Sequence, residues 1–449
     1  MIRPIKKVLV ANRGEIAVRI IRTLKDMGIR SVAIFSDVDR DSLHVQIADE
    51  SICIGPKNVK DSYLNKVQII NAALVTGADA IHPGFGFLSE NSSFAKLCEI
   101  YEIKFIGPSS RLISLMGDKE EAKRLMKEAG LPVVEGSETV VENIELARVI
   151  CEQIGYPIII KARSGGGGKG MRLVREGQDL ESAFMSARKE AENAFGDKEV
   201  YIEKYIDDPR HIEVQILADE HGNVVHLGSR DCSIQMNHQK IIEEAPATSI
   251  RDETMNYLYD MATRAAKYVG YTNAGTIEFL VDKDGKAYFM EMNTRIQVEH
   301  PVTEMITGID IIREQINIAS MEKLAYEQKD ITFTGHAIEC RINAYDEDNN
   351  FMPSVGRIEG LNIPGGYGVR IDSSIYQGYM VLPFYDSMLV KLIAYGKDRK
   401  NAIDIMKRAL DEFVIDGIKT NIGFNKEIMR DEVFVANEHT TSYLQGKRR

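Results

Sequence analysis

The stretch Tyr288-Phe-Met-Glu291-Met-Asn293-Thr-Arg295-Ile-Gln297-Val298-Glu299-His300-Pro301 constrains this chain more than any other, because it passes from strand alternation directly into a dense polar string. Ahead of it, Thr276-Ile-Glu278-Phe-Leu-Val281 alternates as a second strand. Asp284-Gly285, flanked by Lys283 and Lys286, is a two-residue hairpin signal. A turn centred there requires opposed residue numbers to share the total of 284 and 285. Glu278 is then set against Glu291 and Thr276 against Asn293, with Ile277, Phe279, Val281, Tyr288, Met290 and Met292 as the buried face. Like charges opposed across a ladder repel, so the pair calls for a counter-charge. Two carboxylates beside an Asn carbonyl are the hard oxygen donors that Mg²⁺ or Mn²⁺ prefers, and Mg²⁺ usually accompanies nucleotide phosphates. An exposed acidic hairpin relieved by its lysines is the plainer alternative.

Composition bounds the rest. A chain of 449 residues, 44% hydrophobic, makes about two to four domains with sizeable cores. A net charge of -11 argues against nucleic acid or an anionic membrane as the main partner. No apolar run approaches the ~20 residues of a membrane span, and Met1-Ile-Arg-Pro-Ile-Lys-Lys7 has no signal-peptide core. Cys53, Cys98, Cys151, Cys232 and Cys340 are scattered, without a CxxC pair, as reduced thiols of a cytoplasmic protein would be.

Taken in order, Lys7–Ala11, Ser31–Phe35, Ala80-Ile81 and Phe105-Ile106 read as short buried strands, with a helix marked by Ile16, Ile20, Ile21, Leu24 and Met27 after the first. Alternation of this kind predicts a doubly wound parallel sheet up to about residue 115. Asn12-Arg13-Gly14-Glu15 follows the first strand, so a GxGxxG dinucleotide site is excluded there. The loop His82-Pro-Gly-Phe85-Gly-Phe-Leu-Ser-Glu90-Asn91 either lines a ligand site at the sheet's carboxyl end or is a surface connection.

Asp118 and Glu121 form a capping-box pattern for a helix ending at Gly130, and a second helix spans Asn143–Ile154. Strand Pro157–Ala162 then leads into Arg163-Ser164-Gly165-Gly166-Gly167-Gly168-Lys169-Gly170, and strand Met171–Val174 follows. The run lacks the Walker spacing. A strand–glycines–strand flap flanked by Lys161 and Lys169 can instead lay backbone N–H groups over phosphates, as the glycine loop of kinases does. A flexible linker is the alternative. Glu199–Ile206 is a strand running into a hinge, and Arg210–Leu217 and Val224–Leu227 are strands joined at Gly222-Asn223. The polar run from Ser229 to Glu244 is either a solvated loop or a site wall. Arg341 stands in a strand context, where a cation requires an anionic partner. Asp386–Tyr395 and a helix Asn401–Phe413 give a βαβ-like ending.

These residues carry an extensive resemblance. Ala11–Ala17, His82–Asn91, Met116–Lys119, the glycine flap, Arg230–Ser233, Glu291–Pro301 and Glu339–Asn343 all resemble the motifs of biotin carboxylases, members of the ATP-grasp superfamily, along essentially the whole chain. The Arg295-Ile-Gln-Val-Glu-His300 string is the most specific of them. The resemblance implies an α/β fold with α+β character in the ATP-binding part. Residues 1–115 would form an N-terminal domain, 116–204 the lid with its flap, and 205–449 the core with the C-terminal domain. It implies that Lys119, Lys161 and Gly165, Gly166, Gly167 and Gly168 hold ATP phosphates. Glu203, Lys204 and Ile206 would form an adenine hinge, with His211, Gln235 and His238 also at the nucleotide. Glu278, Glu291 and Asn293 would bind Mg²⁺ or Mn²⁺. Lys240, Arg295, Gln297 and Val298 would hold bicarbonate, Glu299 would deprotonate it, and Arg341, with Phe85 nearby, would serve biotin.

The sequence departs from the family pattern in three places. Met236-Asn237 stands where two arginines are common, Phe85 where tyrosine is, and Arg163-Ser164 where smaller residues are. None touches the metal, bicarbonate or base positions. No Ala-Met-Lys-Met attachment motif is present, so biotin is expected in trans, on a biotin carboxyl carrier protein. Carboxyltransferase subunits and a homodimer are the further partners implied. Acetyl-CoA carboxylase is the expected setting and a two-subunit pyruvate carboxylase the alternative. A non-catalytic carrier-docking scaffold is the reading from another class, but it has no use for Glu299 and Arg341.

Overall fold

The computed structural model describes residues 4–137, 139–163, 170–237 and 239–445. At the N-terminus five strands, β1 (Lys7–Val10), β2 (Arg30–Ser36), β3 (Glu50–Gly55), β4 (Ala80–His82) and β5 (Lys104–Phe105), form one parallel sheet in the order β3-β2-β1-β4-β5. This is the doubly wound sheet that the alternation predicts. β3 was not among the expected strands, because an edge strand buried on one side only lacks the apolar run of its neighbours. Ile16, Ile20, Ile21 and Leu24 of the helix Gly14–Asp26 are buried against the sheet.

A small antiparallel sheet follows, made of β6 (Ile158–Ala162), β7 (Met171–Val174) and β8 (Val200–Lys204) in the order β7-β6-β8. Lys161 pairs with Met171, so the glycine run joins two antiparallel strands, as a flap requires. The Asp118 carboxylate caps the helix Lys119–Glu128 by accepting from the Glu120 and Glu121 N–H groups.

The remainder is built on an eight-stranded sheet. Its strands are β9 (Arg210–Ala218), β10 (Val224–Met236), β11 (Gln239–Ala245), β12 (Asn273–Val281), β13 (Ala287–Asn293), β14 (His336–Asn343), β15 (Val369–Ser373) and β16 (Met388–Gly396). They lie in the order β13-β12-β9-β10-β11-β14-β16-β15. The polar run 229–244 is thus a site wall within β10 and β11, not a solvated loop, and Arg230, Glu213 and Glu243 in this sheet are fully buried. β16 pairs antiparallel with β14 and β15, which corrects the βαβ-like ending. Alternation cannot distinguish a strand returning after a helix from one pairing with an earlier, distant strand.

The hairpin β12–β13 bears out Glu278 opposite Glu291 and Thr276 opposite Asn293, but not by a simple two-residue turn. Near the loop Asp282 N–H donates to the Lys286 carbonyl, and Val281 pairs with Ala287, one residue out of the predicted register. Gly285 takes a φ of +83°, the left-handed conformation of a three-residue loop. A β-bulge between Glu278 and Phe279 then restores the register. The bulge places Met290 and Glu291 consecutively on the outer side, so Phe289 and Ala287, rather than Met290 and Tyr288, join Ile277, Phe279, Val281 and Met292 in the core.

Candidate active site

Register builds the site. Across four neighbouring strands, Glu291, Glu278, Glu213 and Arg230 stand directly opposite one another in a single transverse row. Lys240 on β11 reaches into that row, with Nζ 2.7 Å from Glu213 Oε2, 3.1 Å from Glu278 Oε1 and 2.7 Å from Glu299 Oε1. Glu299, completely buried, occupies the N-cap position of the helix His300–Thr307. Its second oxygen accepts from Arg341 Nη2 at 3.0 Å, while Arg341 Nε donates to Glu243 Oε1 at 2.6 Å. Each oxygen of Glu299 is therefore gripped by a different cation. Burial pushes the Glu299 carboxyl up, but Lys240, Arg341 and Arg230 outweigh it and hold the group well below the usual carboxylate range.

Arg295 organises the polar string. Its guanidinium donates to Glu90 Oε2 at 2.9 Å, to Gln297 Oε1 at 2.8 Å and to Asn293 Oδ1 at 2.8 Å. The glutamate comes from the loop His82–Asn91, which therefore lines the site. In the same loop the Phe85 ring lies 5.9 Å from the ammonium of Lys391. Val298 presents its carbonyl to Lys391 Nζ at 2.9 Å.

On the small sheet, Lys161 and, from the helix Lys119–Glu128, Lys123 donate to Glu203 at 2.6 and 3.2 Å. Burial raises the Glu203 carboxyl, but the two ammonium groups pull it down to about 2. Lys204 donates its side chain to the Gly155 and Tyr156 carbonyls, leaving Ile206 just beyond the end of β8. Lys119 opens the helix behind the Asp118 cap. Gln235 holds one ring nitrogen of His211 at 2.7 Å, and the other lies 2.7 Å from Glu278 Oε2. Gly165, Gly166, Gly167, Gly168 and His238 lie outside the described residues.

The donor set fits a divalent cation at one edge. The Glu278 carboxylate is already engaged by Lys240, His211, Asn293 Nδ2 and Gln297 Nε2. Among the described residues no hydrogen bond or ion pair reaches the opposed Glu291, which faces outward. Desolvation, and after it the Glu278 charge, raise the Glu291 carboxyl, the condition a bound cation would relieve. Asn293 would offer its oxygen after an amide turn. His211, Glu213 and Glu278, and likewise Glu213, Cys232 and Glu299, also bring ligand atoms within 4.8 Å of one another. Lys240 bonds to carboxylates in both triples, and Arg230 to the Glu213 that both contain.

Sequence reasoning gave no role to Glu213, Arg230, Glu243, Glu90 or Lys391. Glu213 was legible only as a polar residue on a strand, and Arg230 only as part of a polar run that was either a solvated loop or a site wall. What selects them is the row opposite Glu278, and that depends on β12 pairing with β9 some 60 residues away.

A small three-stranded sheet beside a carboxylate hairpin on a large antiparallel sheet is the arrangement of an ATP-grasp ligase, and the family models agree. Three family models match in succession. They are the biotin carboxylase N-terminal domain over residues 4–113, the carbamoyl-phosphate synthase L chain ATP-binding domain over 118–327, and the biotin carboxylase C-terminal domain over 339–446. Biotin carboxylase 1 of Bacillus subtilis is 55% identical over 442 residues, 98% of each chain. A pyruvate carboxylase subunit from Methanothermobacter thermautotrophicus is 52% identical, covering 99% of this chain and 90% of its own. Among solved structures, the biotin carboxylase–β,γ-ATP complex from Campylobacter jejuni superposes with a TM-score of 0.96 at 50% identity, covering 99% of each chain. The 2-oxoglutarate carboxylase biotin carboxylase domain dimer of Hydrogenobacter thermophilus, in complex with MgADP, ADP and bicarbonate, gives 0.94 at 49% identity, covering 98% of this chain and 97% of its own. The chain belongs to the biotin carboxylase family. It is an enzyme, and its reaction class is the ATP-dependent carboxylation of biotin.

Proposed function

We propose that the chain carboxylates biotin carried on a separate carrier protein, with Glu299 as the base that deprotonates bicarbonate. The observation that supports this most is the grip of Lys240 and Arg341 on the two Glu299 oxygens inside a buried site. A cation-held carboxylate is ionised and ready to accept a proton, and the same cations attract a bicarbonate anion to it. Lys240, Arg295, Gln297 and Val298 position that anion. Its oxygen attacks the γ-phosphorus of ATP, ADP leaves with the cleaved bond's electrons, and carboxyphosphate results. Lys119, Lys161 and the flap hold the phosphates, Glu203, Lys204 and Ile206 the adenine, and His211, Gln235 and His238 the rest of the nucleotide. Mg²⁺ bound by Glu278, Glu291 and Asn293 would neutralise charge on the transferring phosphoryl group. Carboxyphosphate divides into CO₂ and phosphate, which takes the ureido proton of biotin, and the biotin nitrogen adds to CO₂. Arg341 stabilises the enolate oxygen that develops in this step, with Phe85 along the biotin pocket.

The functional division is 1–115, 116–204 and 205–449, the working unit is a homodimer with carboxyltransferase partners, and the location is the cytoplasm. Among the described residues no helix is long and apolar enough to cross a membrane. Acetyl-CoA is the favoured final acceptor. Pyruvate is the second, since a relative at 52% identity bears the pyruvate carboxylase name. The test is phosphate release from ATP with and without bicarbonate and biotin, beside an Arg341→Ala control. Bicarbonate-stimulated release is expected, with slow carboxylation of free biotin that the control abolishes. ATP binding without such turnover, even with a biotinylated carrier, would leave only the scaffold.

A further inference from the structure

The first motif of the chain, Asn12-Arg13-Gly14-Glu15, and the lysine at the centre of β16 take no part in the chemistry above. The glutamate of that motif and the lysine meet beside the turn that carries Glu299. Lys391 is fully buried, opposite Arg341 on β14 and Asp372 on β15. Its Nζ donates to the Val298 carbonyl at 2.9 Å and lies 3.2 Å from Glu15 Oε2. Glu15, also buried, stands in the first turn of the helix Gly14–Asp26.

An ammonium group in such a place is costly unless it is paired and hydrogen-bonded. Filling space does not account for it, since a methionine fills a similar volume. What the charge fixes is a peptide plane. The Val298 carbonyl and the Glu299 N–H belong to one rigid peptide unit. Holding that carbonyl therefore orients the backbone from which the Glu299 side chain departs, at the cap of the helix His300–Thr307. Glu15 ties the lysine to the helix that packs on the N-terminal sheet. Three residues earlier, Asn12 Nδ2 donates to the Pro83 and Phe85 carbonyls at 2.7 Å each, so both N-terminal loops are joined to the same point.

We propose that Lys391, braced by Glu15, is a positioning residue for Glu299. It holds the 298–299 peptide so that the carboxylate meets bicarbonate, and it couples that geometry to the N-terminal domain. The inference rests on reading Glu299 as the base. Burial pushes the Glu15 carboxyl up to about 7 against the pull of Lys391. Removing the lysine therefore leaves a group that can become neutral, not a stranded charge.

The test uses the full chain with Lys391→Met, Lys391→Arg, the charge-free pair Glu15→Gln/Lys391→Met, and Lys391→Met in a Glu299→Gln background. Lys391→Met is expected to lower kcat for bicarbonate-dependent ATP cleavage by about 10-fold or more, with the KM for ATP within about twofold. Lys391→Arg should recover part of the loss. In the Glu299→Gln background the further loss should be under about twofold, because residues acting through one group are not additive. A purely structural lysine would give equal losses in both backgrounds, and that result, or wild-type kcat in Lys391→Met, overturns the proposal. Should Lys391→Met not fold, the charge-free pair carries the same comparison. If Glu299→Gln alone leaves turnover intact, the base reading fails and the positioning role falls with it. A large Glu299→Gln effect beside a silent Lys391→Met defeats the positioning role only.

Discussion

Glu299 shows how one side chain's ionisation follows from its neighbours. Burial alone favours the neutral acid, as it does at Glu243, where Arg341 does not offset burial and the carboxyl rises to about 7. At Glu299 three cations reverse the sign. A depressed value means that the proton-accepting form persists above it and is lost only as pH falls through it. The kcat/KM profile for bicarbonate should therefore show no acid limb from Glu299 above about pH 5. Lys240→Met removes the strongest of those cations, so the limb of its residual activity should climb towards neutrality. Glu299→Gln should lower turnover by about 10²-fold, the usual worth of a positioned base. A wild-type limb near neutrality that disappears in Glu299→Gln would contradict the assigned cause. Glu299, Arg295, Gln297 and Val298, proposed as base and bicarbonate holders, stood out because they share one dense polar string, whereas Glu278 was singled out by the hairpin register and Arg341 received its proposed role from the family resemblance. Glu213, Glu243 and Lys391 did not stand out, because a single charged residue in an alternating strand gains meaning only from the strand beside it.

Among the elements, the hairpin β12–β13 was read correctly at its far end through two errors that cancel. The loop holds one residue more than a two-residue turn, and the bulge at Glu278/Phe279 takes up the difference. Asp284-Gly285 marks where the chain turns, but the type of turn depends on the left-handed Gly285 alone. The bulge has no sequence signature at all. Its consequence is chemical, because it turns Glu291 outward beside Glu278 and leaves that carboxylate without an ion pair among the described residues. Mg²⁺ with nucleotide should accordingly raise the melting temperature more than nucleotide alone, since a ligand bound only by the folded state stabilises it. Glu291→Gln removes one of the two opposed charges and should shrink that difference while leaving the metal-free nucleotide shift in place. A thermal-shift series with no Mg²⁺ dependence in the wild type would count against the hairpin as the metal site.

At the scale of the whole molecule, parts of the chain far apart in sequence converge on the Arg295–Glu299 string. The N-terminal domain reaches it through Glu90 and through Glu15 with Lys391, and the far side of the large sheet through Arg341. On the small sheet Lys161 and Glu203 pair with each other. Such convergence explains why order of elements was readable and assembly was not. The parallel N-terminal sheet follows from local alternation, whereas the eight-stranded sheet pairs β11 with β14 across roughly ninety residues. It also bears on the choice of biotin substrate. A site built from several remote segments is costly to hold in its productive arrangement, and binding energy from parts of the substrate distant from the reacting ring can supply that cost. Free biotin offers only the ring and a short tail. Biotin on its carrier protein should therefore be carboxylated with a kcat/KM at least about 10²-fold higher, and part of the gain should lie in kcat, not in KM alone. The measurement is carboxybiotin formation from free biotin and from a biotinylated carrier at matched ATP and bicarbonate. Equal kcat on both substrates would mean that the carrier contributes affinity only, and that the site is already assembled before it docks.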